Sequence, residues 1–154
     1  MVSMDLLQGL DAVETKRVLG LGKAFTLESG GVLFRLGDPA ESLYLIARGR
    51  IRLTLPMQVR ERSENVMVEE QASGHTVGWS ALTPPYRFTL TATAAFETEV
   101  VALGREALNA YFAANPETGR TVSLNLASVI GRRLQLFQAM WVREVQRMVD
   151  SRCA

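Results

Sequence analysis

Three features of this chain combine residue types and spacing able to do chemistry. They are the loop Gly78-Trp79-Ser80-Ala81-Leu82-Thr83-Pro84-Pro85-Tyr86-Arg87-Phe88-Thr89, a lone histidine, His75, and a lone cysteine, Cys153. In the loop, Gly78 lets backbone approach an anion closely, and N–H groups at the start of a helical turn donate toward it. Arg87 offers a planar guanidinium suited to phosphate, and Thr89 adds a hydroxyl. A plainer reading makes residues 78–82 a turn that closes a barrel, with Trp79 as core filler and Arg87 in solvent. His75 and Cys153 lead nowhere further. A zinc or iron site in a β fold would draw on two or three histidines, so no metal is expected. Serine catalysis needs an oriented base, and His75 is the sole conventional one. Nothing in the pattern reads as an enzyme.

Composition sets what surrounds the loop. The chain has 154 residues, 47% of them hydrophobic, enough for one domain over 1–154 with a core of its own. Seventeen basic and 16 acidic residues leave a formal charge of +1, so no global field draws in nucleic acid, and none is expected to bind directly. One cysteine excludes an internal disulfide framework. No apolar run reaches the ~18–20 residues of a membrane span, and the first residues lack the pattern of a signal peptide. These features predict a cytoplasmic domain with no membrane partner.

The elements that must position the loop fall into three stretches. Residues 1–23 predict short helices, with Asp11 and Glu14 at capping-box spacing and Gly20 and Gly22 ending the run. Residues 24–103 read as short strands cut by turns at Gly30-Gly31, Gly37-Asp38-Pro39, Gly49, Ser73-Gly74 and Pro84-Pro85, the rhythm of a sandwich or barrel. Leu43–Ala47 and Ile51–Leu55 look like a hairpin turned at Gly49. Ile51, Leu53 and Leu55 alternate with Arg52 and Thr54, a strand with one wet face. Val66–Glu70 and Thr98–Leu103 add two more strands. Residues 104–154 turn helical. Glu106–Ala114 carries Leu108, Tyr111 and Phe112 inward, and Asn115-Pro116 starts a second helix, Asn as cap and Pro in the first turn.

That second helix predicts some 30 residues, to about Val149, and bears two apolar stripes. One is Val122, Leu126, Val129, Leu136 and Met140, interrupted by Arg133. The other is Ile130, Leu134, Phe137, Trp141, Val145 and Met148, with Glu144 at a seam position beside Val145. A helix on the surface of a monomer needs one stripe. The second predicts a homodimer through this helix, an imperfect coiled coil.

Taken together, the short N-terminal helices, the run Gly37-Asp38-Pro39-Ala40-Glu41-Ser42-Leu43-Tyr44-Leu45-Ile46 with Gly49, the loop 78–89, Asn115-Pro116 and Ile130-Gly131-Arg132-Arg133-Leu134 resemble the cyclic-nucleotide-binding domain superfamily. The likeness covers almost all of residues 5–150 and is greatest to the sensor half of bacterial catabolite-activator and anaerobic-regulator proteins. It implies a mainly β fold with flanking helices: a jelly-roll β-roll, short N-terminal helices and a long C-terminal dimerisation helix. It also implies a ligand-sensing regulatory domain, in which pocket occupancy shifts the loop and the long helix.

The resemblance makes the loop a phosphate-binding cassette, running Gly-Glu-(Leu/Ile)-Ala-Leu to Arg-(Ala/Ser)-Ala-Thr. Its glutamate accepts the ribose 2′-hydroxyl and its arginine holds the cyclic phosphate. Gly78, Ala81 and Leu82 match, but Trp79 stands in place of the glutamate, and an indole cannot accept that hydroxyl. Anchored on Thr89, the pattern puts Tyr86 in the arginine's place and Arg87 one residue late. If the alternation of Phe88, Leu90 and Ala92 runs back to residue 86, Tyr86 points inward and Arg87 outward. A kink after Pro85 reverses that. In the long helix, Phe137-Gln138 replaces the Thr-Ser pair that contacts adenine in cAMP-responsive members, and the resemblance makes Arg133 and Phe137 the lid over the pocket. The expected pocket is walled by Trp79, Tyr86, Phe88 and Phe137, its ligand a cyclic nucleotide or another small molecule, with cAMP and cGMP specificity altered or lost. The alternatives are a dimerisation or adaptor module with its pocket filled, or the sensor half of a longer transcription regulator, because no helix-turn-helix follows residue 150.

Overall fold

The computed structural model describes residues 3–153. A 3-10 turn, Asp5–Leu7, leads into helix α1, Ala12–Leu19. Asp11 caps α1 by accepting the Glu14 N–H at 2.7 Å. The reciprocal half of the expected capping box is not made. The Glu14 carboxylate turns away to accept the hydroxyls of Tyr111 and Thr118, tying α1 to the C-terminal helices.

Eight strands follow: β1 (Lys23–Leu27), β2 (Val32–Phe34), β3 (Ser42–Arg48), β4 (Arg50–Val59), β5 (Arg62–Ala72), β6 (Thr76–Val77), β7 (Thr91–Ala94) and β8 (Thr98–Gly104). They form two four-stranded antiparallel sheets, ordered β1-β8-β3-β6 and β2-β7-β4-β5. This is the mainly β roll the sequence predicts, and its interior is Leu43, Leu45, Ile51, Leu53, Ala92, Val100 and their neighbours.

One expected pairing is not made. β3 and β4 are not a hairpin: β3 pairs with β8 and β6, and β4 with β5 and β7. Gly49 is a corner between sheets, since a single residue is too short to fold two strands back on each other. Its φ of 103° and the 2.4 Å separating a notional Cβ from Thr98 Oγ1 leave no room for a side chain. Thr98 locks the corner, its hydroxyl accepting the Arg50 N–H at 3.1 Å. The long hairpin is instead β4–β5, turned at Arg60, which has a φ of 60°. No glycine marks that turn. Leu55, Met57, Val66 and Met67 lie exposed along it.

Helix α2 (Arg105–Ala114) buries Leu108, and α3 (Pro116–Cys153) runs 38 residues, about 57 Å at 1.5 Å per residue. Asn115 stands at the N-cap position of α3, its carbonyl accepting the Gly119 N–H at 3.1 Å. Its side-chain amide, however, donates to the Tyr111 carbonyl at 3.0 Å and closes α2. Gly119 allows α3 to cross α2 closely, a Cβ there falling 2.9 Å from Phe112 Cβ. Asn125 clasps the N-terminal turn, donating to the carbonyls of Leu6 and Gln8 at 2.8 Å each. Val122 and Val129 of the first stripe are buried, whereas Leu136 is exposed. The helix therefore covers the roll only as far as Arg133 and then leaves it. Among the described residues, no helix is long and apolar enough to cross a membrane.

Candidate functional site

Residues 78–88 are held by the segment 37–40. The Gly37 N–H donates to the Phe88 carbonyl at 2.8 Å, Phe88 N–H to Asp38 at 3.1 Å, and Ala40 N–H to Tyr86 at 2.8 Å. Gly78, with φ 79°, opens a 3-10 turn over Trp79–Leu82, in which Ser80 and Ala81 are buried and Trp79 and Leu82 half-buried. Arg105, the first residue of α2, straps the loop from outside. Its guanidinium donates to the carbonyls of Ala40 (2.7 Å) and Ala81 (2.9 Å) and lies 4.0 Å over the Tyr86 ring. Nothing in the sequence around Arg105 marks it for this role, because its partners are main-chain carbonyls from two distant segments.

The structure places neither Tyr86 nor Arg87 against the interior. Tyr86 has a φ of 58°, and this left-handed residue breaks the alternation that would have turned its ring inward. Arg87 is exposed and donates to the Gly37 carbonyl at 2.9 Å. The side chain that enters beneath Gly78 is Phe88, only 6% exposed. Its ring stacks on Phe34, centroids 3.8 Å apart, and Phe34 stacks in turn on Tyr44 at 5.9 Å. Phe25 meets Tyr44 edge-on and ends the column. Burial, aided by the Glu41 charge, raises the Tyr44 phenol above its ordinary pKa, so the ring stays neutral and acts as an apolar wall.

The space left under the loop is a cavity of about 20 Å³, lined among others by Gly78, Trp79, Ser80, Phe88, Thr89 and Arg133. Such a volume suits about one water molecule, whereas small-molecule sites occupy roughly 300–1,000 Å³. Of the expected walls, Trp79 and Phe88 are present, and Tyr86 and Phe137 lie outside.

Among the described residues, Arg133 is the one charged side chain lining that cavity. It also lines a groove of about 180 Å³ between β5 and α3, with Glu69, Gln71, His75, Val129, Arg132 and Leu136. Its Nε is 3.2 Å from Glu69 Oε1, and its Nη2 donates to the Thr76 carbonyl. Burial lowers the guanidinium pKa, opposed by the charges of Glu69 and Asp5, yet arginine remains protonated at any working pH. Gln71 donates to the same Glu69 oxygen at 2.7 Å. Sequence spacing marks Arg133 as a break in an apolar stripe and the resemblance makes it a lid residue with Phe137; Arg133 does line the cavity, whereas Glu69 carries no sequence signal.

Beyond Arg133 the second stripe faces outward. Leu134, Phe137, Trp141 and Met148 are exposed, Trp141 by 66%, while Ile130 and Val145 are half-buried. Val142 and Val149 widen this apolar face.

Comparison with known proteins gives the geometry its relatives. Residues 24–115 match the model of the cyclic nucleotide-binding domain. A putative potassium channel protein of Rhodopseudomonas palustris is 28% identical over 131 residues, 85% of this chain but 31% of that protein. A lysophospholipase of Neurospora crassa is 30% identical over 111 residues, 72% of this chain and 7% of the enzyme. The chain thus spans a third or less of either. Among solved structures, the catabolite activator protein of Thermus thermophilus superposes with a TM-score of 0.74 at 26% identity, over 93% of this chain and 63% of that one. The chain belongs to the cyclic nucleotide-binding domain family.

Proposed function

We propose that this member of the family is a regulatory module whose nucleotide pocket is closed by its own side chains, and whose output is α3 paired with the α3 of a second copy. The observation that carries the reading is the Phe88 ring, stacked 3.8 Å from Phe34 beneath Gly78. Anchored on Thr91, the cassette pattern reads Phe88-Thr89-Leu90-Thr91 and sets Phe88 in the arginine's place. An aromatic ring there supplies no charge for a cyclic phosphate and occupies the room it would need. Trp79 removes the acceptor for the ribose hydroxyl in the same loop.

The pairing of α3 is supported by its stripe of exposed Leu134, Phe137, Trp141 and Met148 with half-buried Val145, about four turns of apolar surface on a helix that has already left the roll.

The reading is tested by thermal unfolding with cAMP or cGMP at millimolar concentration. A ligand present at ~100 times its Kd adds about 2.7 kcal/mol of stability, several degrees in Tm for a domain of this size. An unchanged Tm is expected. A rise of several degrees with either nucleotide overturns the closed pocket.

A further inference from the structure

Among the described residues, the buried side-chain polar atoms that lack a hydrogen-bond partner are Glu69 Oε2 and Arg133 Nε. They belong to one pair. The two side chains are 4% and 11% exposed, and their closest N···O approach, 3.2 Å, is an ionic contact without the alignment of a hydrogen bond. Buried polar atoms are nearly always satisfied, so a donor and an acceptor both unmet in one pair require a reason. Stability does not supply one, because a buried ion pair is often no better than apolar packing of the same volume.

Position does supply one. Arg133 is carried by α3 and joins two strands of different sheets, β5 through Glu69 and β6 through the Thr76 carbonyl. C-terminal to it, among the described residues, every side-chain hydrogen bond and ion pair of α3 is made within the helix: Gln146 to Asp150, Arg147 to Glu144, Ser151 to Met148. Arg133 is thus the last polar tie between α3 and the roll, at the point where the helix departs. It also separates the cavity beneath Gly78 from the groove beside β5, lining both.

We propose that the Arg133–Glu69 pair is a lock that fixes the setting of α3 on the roll, doing from within what a bound ligand would otherwise do. This rests on the reading of a closed pocket. The pair's value is directional: a guanidinium held between a carboxylate and a carbonyl fixes one helix rotation, whereas apolar side chains of equal volume permit several. The resting state is then the docked helix, with no molecule in the pocket.

The test separates setting from stability in the full-length chain. The apolar double variant Glu69→Leu/Arg133→Met is expected to keep the wild-type Tm, while amide hydrogen exchange across residues 130–140 becomes roughly tenfold faster, reporting local release of the helix. Exchange at the wild-type rate with Tm maintained makes the pair mere filling, and a joint fall of Tm and protection makes it a plain stability element. Either result overturns the lock. Should the double variant fail to fold, Arg133→Lys keeps the charge but loses the planar fork, and exchange across 130–140 must still rise with Tm unchanged. An unaltered rate in that variant also overturns the proposal. Nucleotide binding in the thermal assay would instead defeat the closed pocket, whatever these variants do.

Discussion

Gly78 and Phe88 meet face to face across the loop: a Cβ on Gly78 would stand 3.1 Å from Phe88 Cε1, with Phe34 and Tyr44 each 3.4 Å away. The glycine that would let backbone approach a phosphate here lets it approach an aromatic ring. Gly78→Ala should therefore combine a left-handed backbone, costing about 1–2 kcal/mol for a residue with a Cβ, with contact against a ring column that cannot recede. Urea unfolding is expected to show a loss at the upper end of that range.

Removal of the ring tests the same packing from the other side. Phe88→Ala deletes a nearly fully buried side chain whose partners, Phe34 and the loop backbone, are fixed by β2 and by residues 37–40. A loss of about 3–5 kcal/mol is expected, typical of such truncations where the site cannot collapse. A loss below ~1 kcal/mol would mean the loop simply closes over the gap.

The apolar face of α3 makes a prediction about assembly. Trp141→Glu places a charge in the middle of the exposed stripe, where 66% of the indole is in solvent in the isolated chain. On the proposed pairing of α3, sedimentation equilibrium should show the wild-type protein dimerising and the variant doing so at least tenfold more weakly. The thermal transition of the roll, measured at a concentration where both proteins are monomeric, should stay within a degree or two.

Acid stability traces to the bridge between α1 and the C-terminal helices. Glu14 has its pKa lowered by hydrogen bonds from Tyr111 first and Thr118 second, with Arg17 adding a smaller pull against desolvation. A carboxylate with a depressed folded pKa contributes stability that is present above its unfolded pKa, about 4.3, and is lost as pH falls through the folded value. Tyr111 is raised by the same bond, so its contribution is present below its unfolded pKa, near 10, and disappears as pH rises through the folded one. Urea midpoints should separate wild type from Glu14→Gln at pH 7 and converge as pH falls through the lowered folded pKa of Glu14. Tyr111→Phe should behave the same way in acid, and should also remove the alkaline loss.

Much of this architecture was legible because local chemistry and global fold agree. Ile51 and Leu53 are buried and alternate with exposed Arg52 and half-exposed Thr54, whereas Leu55, expected on the same inward face, is exposed beyond the register shift at Leu53 and Thr54. Gly37-Asp38-Pro39 is a turn, and α3 follows its apolar period. What escaped reading depends on long-range partners. A single glycine at 49 serves equally well as a hairpin turn or as a corner between sheets, and only Thr98, 49 residues on, decides. Asn115 is a good cap for either neighbouring helix, and its side chain goes to the Tyr111 carbonyl, which also accepts the Asn115 N–H. The alternation of residues 88–94 does not carry back through Tyr86, which has a left-handed backbone, accepts the Ala40 N–H and lies under the Arg105 guanidinium. Of the two aromatic residues expected inward, Phe88 is buried and Tyr86 is not, so a loop with an arginine in it is lined by a phenylalanine.

The most direct test of the closed pocket is calorimetric titration of the folded wild-type protein with cAMP and with cGMP. The account predicts no heat of binding up to millimolar nucleotide, since the Phe88–Phe34 stack leaves about 20 Å³ beneath Gly78. Saturable binding at micromolar nucleotide would contradict it, requiring the Phe88 ring to swing out and the loop to hold a phosphate without an inward arginine of its own.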